Sequence, residues 1–165
     1  MEEPLRRTSK DITQIYQRHV HTVYKVSFML LRNVVDAEEV TQTVFLKLMQ
    51  SDIAFRDHEH EKAWLIVTAR NHCRNVLKHW WRRMRTSLEE TDQKLLTEQH
   101  KQDDTLGEVL ALPAKYRLPI YLFYYEGYKT KEIAELLAVN EATVRTQLHT
   151  GRKLLKLRIG GDSDD

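Results

Sequence analysis

Apolar side chains recur at helical spacing from the start of the chain. Ile12, Ile15, Tyr16, His19, Val20, Val23, Tyr24 and Val26 follow the three-and-four rhythm of an amphipathic helix and run into the apolar stretch Phe28 to Leu31. The pattern breaks at Arg32-Asn33, and a second helix is predicted from Asp36. Its core side carries Val40, Val44, Phe45 and Leu48, while Asp36, Glu39, Gln42 and Thr43 face outward. Acids in its first turn suit the positive end of the helix dipole. A third helix is predicted from about Glu61 to Arg85. At 100° per residue, Ile66, Ala69, Cys73, Val76, Leu77 and Trp80 share one arc. Burying those six would contribute on the order of 10 kcal/mol before entropy costs.

The last third of the chain repeats the helical theme in shorter pieces. Signals between Pro113 and Gly127 predict one helix, with Gly127 as its cap. Thr130 to Leu137 forms a short helix with Ile133, Ala134 and Leu137 inward. Ala138-Val139-Asn140 turns the chain, and a longer helix starts at Glu141. That order is a helix-turn-helix, in which Val139, Val144 and Leu148 are expected to lock the second helix on the first.

Glycine and proline usage fixes the class. No glycine precedes Gly107 and only Pro4 precedes it among prolines, whereas a β-rich fold of that length needs several tight turns. The expected fold is all-α, with two small helical domains joined by a flexible acidic linker. A single cysteine, Cys73, allows no internal disulfide. No apolar run reaches the roughly 18 residues that span a bilayer, and no signal-peptide pattern opens the chain, so a cytoplasmic protein without membrane insertion is expected.

The formal charge of +2 over 165 residues hides a segmental alternation. Residues 1–87 carry 15 basic and 10 acidic side chains, net +5, and residues 106–159 carry 9 and 5, net +4. Between them, residues 88–105 carry 2 and 6, net −4, and the 160–165 tail carries three acids. We read two basic domains, 1–87 and 106–159, an acidic linker at 88–105 and an acidic tail at 160–165.

On the third helix Arg70, Asn71, Arg74, Lys78, Arg82 and Arg85 form a second arc, with Trp64 at its edge. A solvated helix face and a phosphate-tracking surface both fit such a stripe. The absence of acids at i+4 favours the second, and Trp64 and Trp81 add rings on which bases could stack. On the last helix Thr143, Arg145, Thr146, His149 and Arg152 can point outward. Arg145 can donate to both O6 and N7 of guanine, and Arg152 and Lys153 suit phosphates. No nucleophile-base pairing or phosphate-cradling glycine loop suggests an enzyme. His58, His60, His72 and Cys73 make a poor zinc set, because His72 and Cys73 are adjacent on a helix and diverge by about 100°. No metal and no cofactor are expected.

Together these segments resemble the extracytoplasmic-function sigma factors of bacterial RNA polymerase. Asp36-Ala-Glu-Glu-Val-Thr-Gln-Thr-Val-Phe is similar to that family's clamp-docking helix in region 2, and Trp64-Leu-Ile-Val-Thr-Ala-Arg-Asn to its promoter-melting helix. Leu112-Pro-Ala-Lys-Tyr-Arg and Tyr125-Glu-Gly-Tyr-Lys-Thr-Lys-Glu-Ile-Ala-Glu-Leu-Leu, with the helix that follows, resemble region 4. The resemblance implies a sigma factor that directs promoter-specific initiation on core RNA polymerase, with an anti-sigma factor as a further partner. Asp36, Glu39 and Gln42 would face the polymerase. Arg56, His58, His60, Trp64, Asn71, Arg74 and Lys78 would read and hold −10 DNA, with the first three in a loop at 56–60. Thr143, Arg145, Thr146, His149 and Arg152 would read the −35 element. The sequence departs from the family at Thr43, where an acid is usual, and at Ala138, where a turn glycine is common. Thr150-Gly151 replaces a basic-Ala pair, and a glycine there costs the helix about 1 kcal/mol. The competing reading is a stand-alone helix-turn-helix regulator.

Overall fold

A computed structural model describes residues 7–83 and 104–158, and among these residues the structure consists of seven helices with no strand. The first compact unit holds α1 (Ser9–Leu31), α2 (Val34–Gln50, apart from its first residue) and α3 (His58–Arg83). The second holds α4 (Asp104–Leu110), α5 (Ala114–Tyr124), α6 (Thr130–Leu137) and α7 (Glu141–Arg158). The acidic stretch expected as a linker lies outside the described residues, apart from Asp104 and Thr105, which are already helical in α4. The 160–165 tail also lies outside them.

In the first unit α1 starts on a reciprocal cap. Asp11 N–H donates to Thr8 Oγ1 at 3.2 Å, and Thr8 N–H donates to Asp11 Oδ2 at 3.0 Å. Val23, Val26 and Met29 of α1, Val40, Val44 and Leu48 of α2 and Leu65, Ile66, Ala69 and Cys73 of α3 are all buried, and α1 packs along α3. Buried hydroxyls are satisfied within their own helices: Ser27 donates to Val23 O at 2.8 Å and Thr41 to Ala37 O at 2.7 Å. The turn between α1 and α2 falls at Arg32-Asn33 as expected, but α2 begins at Val34, two residues before Asp36. Arg32 makes that turn with φ +54, a left-handed conformation that favours glycine, which this region lacks.

The third helix corrects two expectations. It begins at His58, so the 56–60 segment is a short turn running into helix rather than a loop. Its buried arc is also shifted toward the N-terminus: Leu65 is fully buried and Glu61 is buried, whereas Val76, Leu77 and Trp80 are only partly covered. Core depth is set by where α1 and α2 lie, which the 100° periodicity of one helix does not specify.

In the second unit α5 begins directly after Pro113 and ends at Tyr124. The cap is Tyr125, whose N–H donates to Tyr121 O, and Gly127 lies two residues beyond it in a turn with φ +73. Tyr128 N–H closes that turn on Leu122 O at 3.0 Å. In the helix-turn-helix, α6 and the start of α7 fall where predicted. Ile133, Ala134 and Leu137 are buried against Val144 and Leu148, while Val139, expected to lock the pair, is 38% exposed. Its role is played by its backbone: Val139 N–H donates to Ala134 O at 3.0 Å, the long bond that closes a Schellman-type end.

That ending requires Ala138 to sit at φ +55, ψ +46, where an L side chain costs roughly 1 kcal/mol. Ala138→Gly is therefore expected to stabilise the protein by about 0.5 to 1 kcal/mol, since part of the relieved strain is offset by the larger entropy of the unfolded glycine. Urea denaturation of both proteins measures this. An unchanged or lower midpoint would show that the left-handed alanine is not strained.

Candidate nucleic-acid interface

Three exposed surfaces arise from these helices. On α3, Trp64, Asn71, Arg74 and Lys78 fall within about 80° of arc and span about 20 Å of helix, turned away from Leu65, Ala69 and Cys73. Asn71, Arg74 and Lys78 are exposed. Among the described residues no carboxylate pairs with Arg70, Arg74 or Lys78. The half-buried Arg70 guanidinium is held below its usual range, first by burial and then by the neighbouring charge of Arg74. A row of uncompensated cations favours polyanion binding at no desolvation cost to partner acids. Arg82, in the same row, has no described side chain, and Arg85 lies outside the described residues.

The start of α3 forms an aromatic corner that the sequence did not reveal. Phe55 contacts the His60 ring at 5.3 Å and the Trp64 ring at 5.9 Å, both edge-on, and the Arg7 guanidinium lies 4.8 Å from the Phe55 centroid. Arg7 Nη1 also donates to Ser51 O at 2.8 Å, fixing the corner to the end of α2. Asp57 caps α3 by accepting from His60 N–H at 2.8 Å, and His60 Nδ1 accepts from Arg56 N–H at 3.1 Å. Of the residues expected at the −10 element, Arg56 and His58 are therefore exposed, whereas His60 and Trp64 are partly buried and engaged. Phe55, which joins these rings, was not among the expected residues. An aromatic near a basic helix was its only sequence signal.

Beneath this corner Glu61 is buried between helices. Its Oε1 accepts from Arg18 Nη2 at 2.9 Å and Nε at 3.1 Å, and lies 2.8 Å from His19 Nε2. Burial lowers the His19 pKa even though Glu61 pulls it upward, so the ring is neutral and donates from Nε2 to the carboxylate. From sequence Glu61 was only the expected start of the third helix. In the fold it ties α3 to α1. Cys73, imagined with His72 as a metal ligand, is buried on the core side, where burial pushes its thiol up to about 12 and keeps it protonated.

The second surface is on α2. Glu39 and Gln42 are exposed and Asp36 is partly buried. At 100° spacing Val35, Glu39, Gln42, Leu46 and Met49 form one narrow stripe. Leu46 is 55% and Met49 60% exposed, so the acidic patch read from sequence continues into an apolar strip suited to a protein partner. Leu46 and Met49 were not singled out from sequence, although the run Phe45-Leu-Lys-Leu-Met contains more apolar residues than one buried face can use.

The third surface is α7. Thr143, Arg145, Thr146, His149 and Arg152 are all exposed, opposite the buried Val144 and Leu148. Arg145 and Arg152 share one edge of the face and Thr146 and His149 its middle. Thr146 Oγ1 donates to Ala142 O at 3.0 Å, and Arg152 Nε to Leu148 O at 3.1 Å. Arg145 Nη1 lies 3.2 Å from Glu141 Oε1. The structure thus brings all five predicted residues to one helix face.

The Sigma-70 region 2 family matches residues 15–83, and the Sigma-70, region 4 family matches residues 107–155. RNA polymerase sigma factor SigV of Bacillus subtilis is 31% identical over 148 residues, covering 86% of this chain and 86% of that protein. ECF RNA polymerase sigma factor SigL of Mycobacterium tuberculosis is 28% identical over 155 residues, covering 88% and 86%. Among solved structures, the sigma factor RpoE of Bartonella quintana, crystallised with the anti-sigma factor NepR, has a similar fold, with a TM-score of 0.68 at 18% identity over 93% of this chain and 99% of that one.

Proposed function

The chain belongs to the extracytoplasmic-function sigma factors of bacterial RNA polymerase, and from that membership we propose how its surfaces divide the work of promoter-specific initiation. Asp36, Glu39 and Gln42, with Leu46 and Met49 added, dock the α2 stripe on core polymerase. Arg56, His58, Trp64, Asn71, Arg74 and Lys78 follow the −10 DNA, with Arg74 and Lys78 on phosphates and the Phe55, His60 and Trp64 corner offering a ring surface to an unstacked base. The α7 face reads the −35 element in the major groove, Arg145 taking a guanine. The segments 1–87 and 106–159 serve as the region 2 and region 4 domains and 88–105 as the linker, except that Asp104 and Thr105 belong to α4 of the second domain. The protein acts in the cytoplasm beside the polymerase and has no catalytic residue of its own.

The observation that carries this reading is the exposed row of cations on α3, without carboxylate partners among the described residues and in a unit other than the one with the helix-turn-helix. A stand-alone regulator has no use for it. An anti-sigma factor is proposed as a further partner, as for RpoE with NepR, and it would cover the α2 stripe in competition with polymerase.

Run-off transcription with purified core polymerase on a −35/−10 promoter tests the assignment. Wild-type protein is expected to co-purify with core and to direct a defined start. Glu39→Lys reverses one exposed charge in the middle of the stripe and is expected to weaken core binding about tenfold, while circular dichroism and the urea midpoint stay unchanged. Unaltered core affinity in that variant would remove α2 from the polymerase interface.

A further inference from the structure

Glu141 is the first residue of α7, the position of a reading helix that lies nearest the base edges, yet it is not one of the outward-facing residues. It is partly buried, and its Oε1 holds two partners. Thr130 Oγ1, from the first residue of α6, donates to it at 3.1 Å, and Arg145 Nη1 lies 3.2 Å away. The carboxylate is thereby anchored to the other helix of the motif and reaches one turn along its own helix to the residue assigned to guanine. Arg145 is 60% exposed, and a surface ion pair between neighbouring turns contributes little to stability. Its consequence is geometric.

We propose that Glu141 is a positioning residue for promoter specificity: anchored by Thr130, it holds Nη1 of Arg145 so that the Nε and Nη2 edge of the guanidinium faces the groove. An arginine side chain has many rotamers, and one held at one nitrogen before binding loses less freedom when it makes a bidentate contact. A guanidinium carries five N–H donors, so the bond to Glu141 leaves the opposite edge complete for O6 and N7 of guanine. An unheld Arg145 can swing to a phosphate, where it adds affinity without sequence information. The carboxylate also sets a negative charge beside the groove floor, which disfavours the acceptor pattern of a misplaced base. This inference rests on the −35 reading of α7, and the test separates the two.

Core polymerase carrying each sigma variant selects from a pool of promoter DNAs randomised across the −35 region, and bound or transcribed sequences are counted. Wild type is expected to enrich guanine at one position, and Arg145→Ala to erase that enrichment. Glu141→Ala is expected to cut the guanine preference at that position about tenfold while leaving preferences at other positions in place. Thr130→Val loosens the anchor but keeps the charge, so its loss is expected to be about threefold. Glu141→Gln, which retains an acceptor for both partners, is expected to fall between Glu141→Ala and wild type. The double variant Glu141→Ala, Arg145→Ala should match Arg145→Ala alone, because Glu141 acts through Arg145.

Losing a carboxylate near DNA will raise overall affinity and change its salt dependence for every sequence alike, so the ratio between bases is the deciding readout. If Glu141→Ala changes transcription from all sequences equally and leaves the guanine ratio intact while Arg145→Ala abolishes it, Glu141 is only a structural residue of the turn and the proposal fails. If Arg145→Ala alters no base preference, the −35 assignment of α7 fails, and the proposal with it.

Discussion

Glu61→Ala is expected to lower the stability of the α1 to α3 unit by about 2 to 3 kcal/mol, more than any exposed substitution on these helices. The carboxylate accepts three polar contacts from Arg18 and His19, and the His19 ring is buried with it. Removing it leaves Nε2–H of His19 without its acceptor in a low-dielectric site and releases Arg18, whose side chain is 33% exposed and can recover water. That exposure keeps the expected loss below the cost of a fully buried pair. Glu61→Gln preserves one acceptor oxygen and should lose about 1 kcal/mol. Urea denaturation followed by helical circular dichroism measures both.

The pH dependence has a definite sign. His19 is depressed in the folded state, so unfolded chains bind its proton first as pH falls, and the contribution of the neutral ring is present above the ordinary histidine value near 6.5 and lost on acidification below it. Glu61 opposes that depression. Glu61→Ala should therefore make stability fall more steeply between neutral pH and mildly acidic pH than it does in wild type. Equal midpoints for the two proteins across that range would show that the buried carboxylate does not hold α1 to α3.

Gly151→Val is the second large effect, with an expected loss of about 3 kcal/mol in the helix-turn-helix unit. A Cβ at this position would lie 2.9 Å from Ile120 Cγ1, 3.0 Å from its Cδ1 and 3.5 Å from Tyr116 Cβ. Ile120 is almost fully buried, so its Cγ1 cannot simply rotate into solvent. Alanine introduces the same Cβ but gains roughly 1 kcal/mol of helix propensity, so Gly151→Ala should lose only about 1 kcal/mol. The penalty should shrink by at least about 1 kcal/mol when Ile120→Ala is added, because the clash and its relief share one site. A Gly151→Val protein as stable as wild type would mean that α5 and α7 can move apart without cost. From the sequence, Gly151 was only a weak point in a helix. In the fold it is a point of close approach between α7 and α5, with Ile120 in the space a side chain would need.

These cases separate two kinds of legibility. The helix-turn-helix was readable because each of its signals is local. The Ile133, Ala134, Leu137 spacing marks one buried face, Val144 and Leu148 mark the other, and the three residues between leave room only for a turn. The same holds for the outward positions Asn71, Arg74 and Lys78, which follow from 100° steps along one helix. The start of α3 was misplaced because its cap is made by Asp57 and its first turn is held by Arg56 and His60, so residues that look like a polar loop satisfy one another as helix.

By itself the sequence determined an all-α chain with two basic helical segments, the boundaries of α6, the start of α7, and the outward residues of α7, because hydrophobic period and turn chemistry act within a dozen residues. Only the tertiary structure decided which polar residues turn inward. Glu61 is buried because α1 supplies Arg18 and His19 more than forty positions away, Gly151 is required because Ile120 of another helix occupies the space of its side chain, and Leu46 and Met49 stay exposed because no helix covers them among the described residues. Desolvation and close packing depend on what lies across the core, and helical periodicity carries no information about the opposite wall.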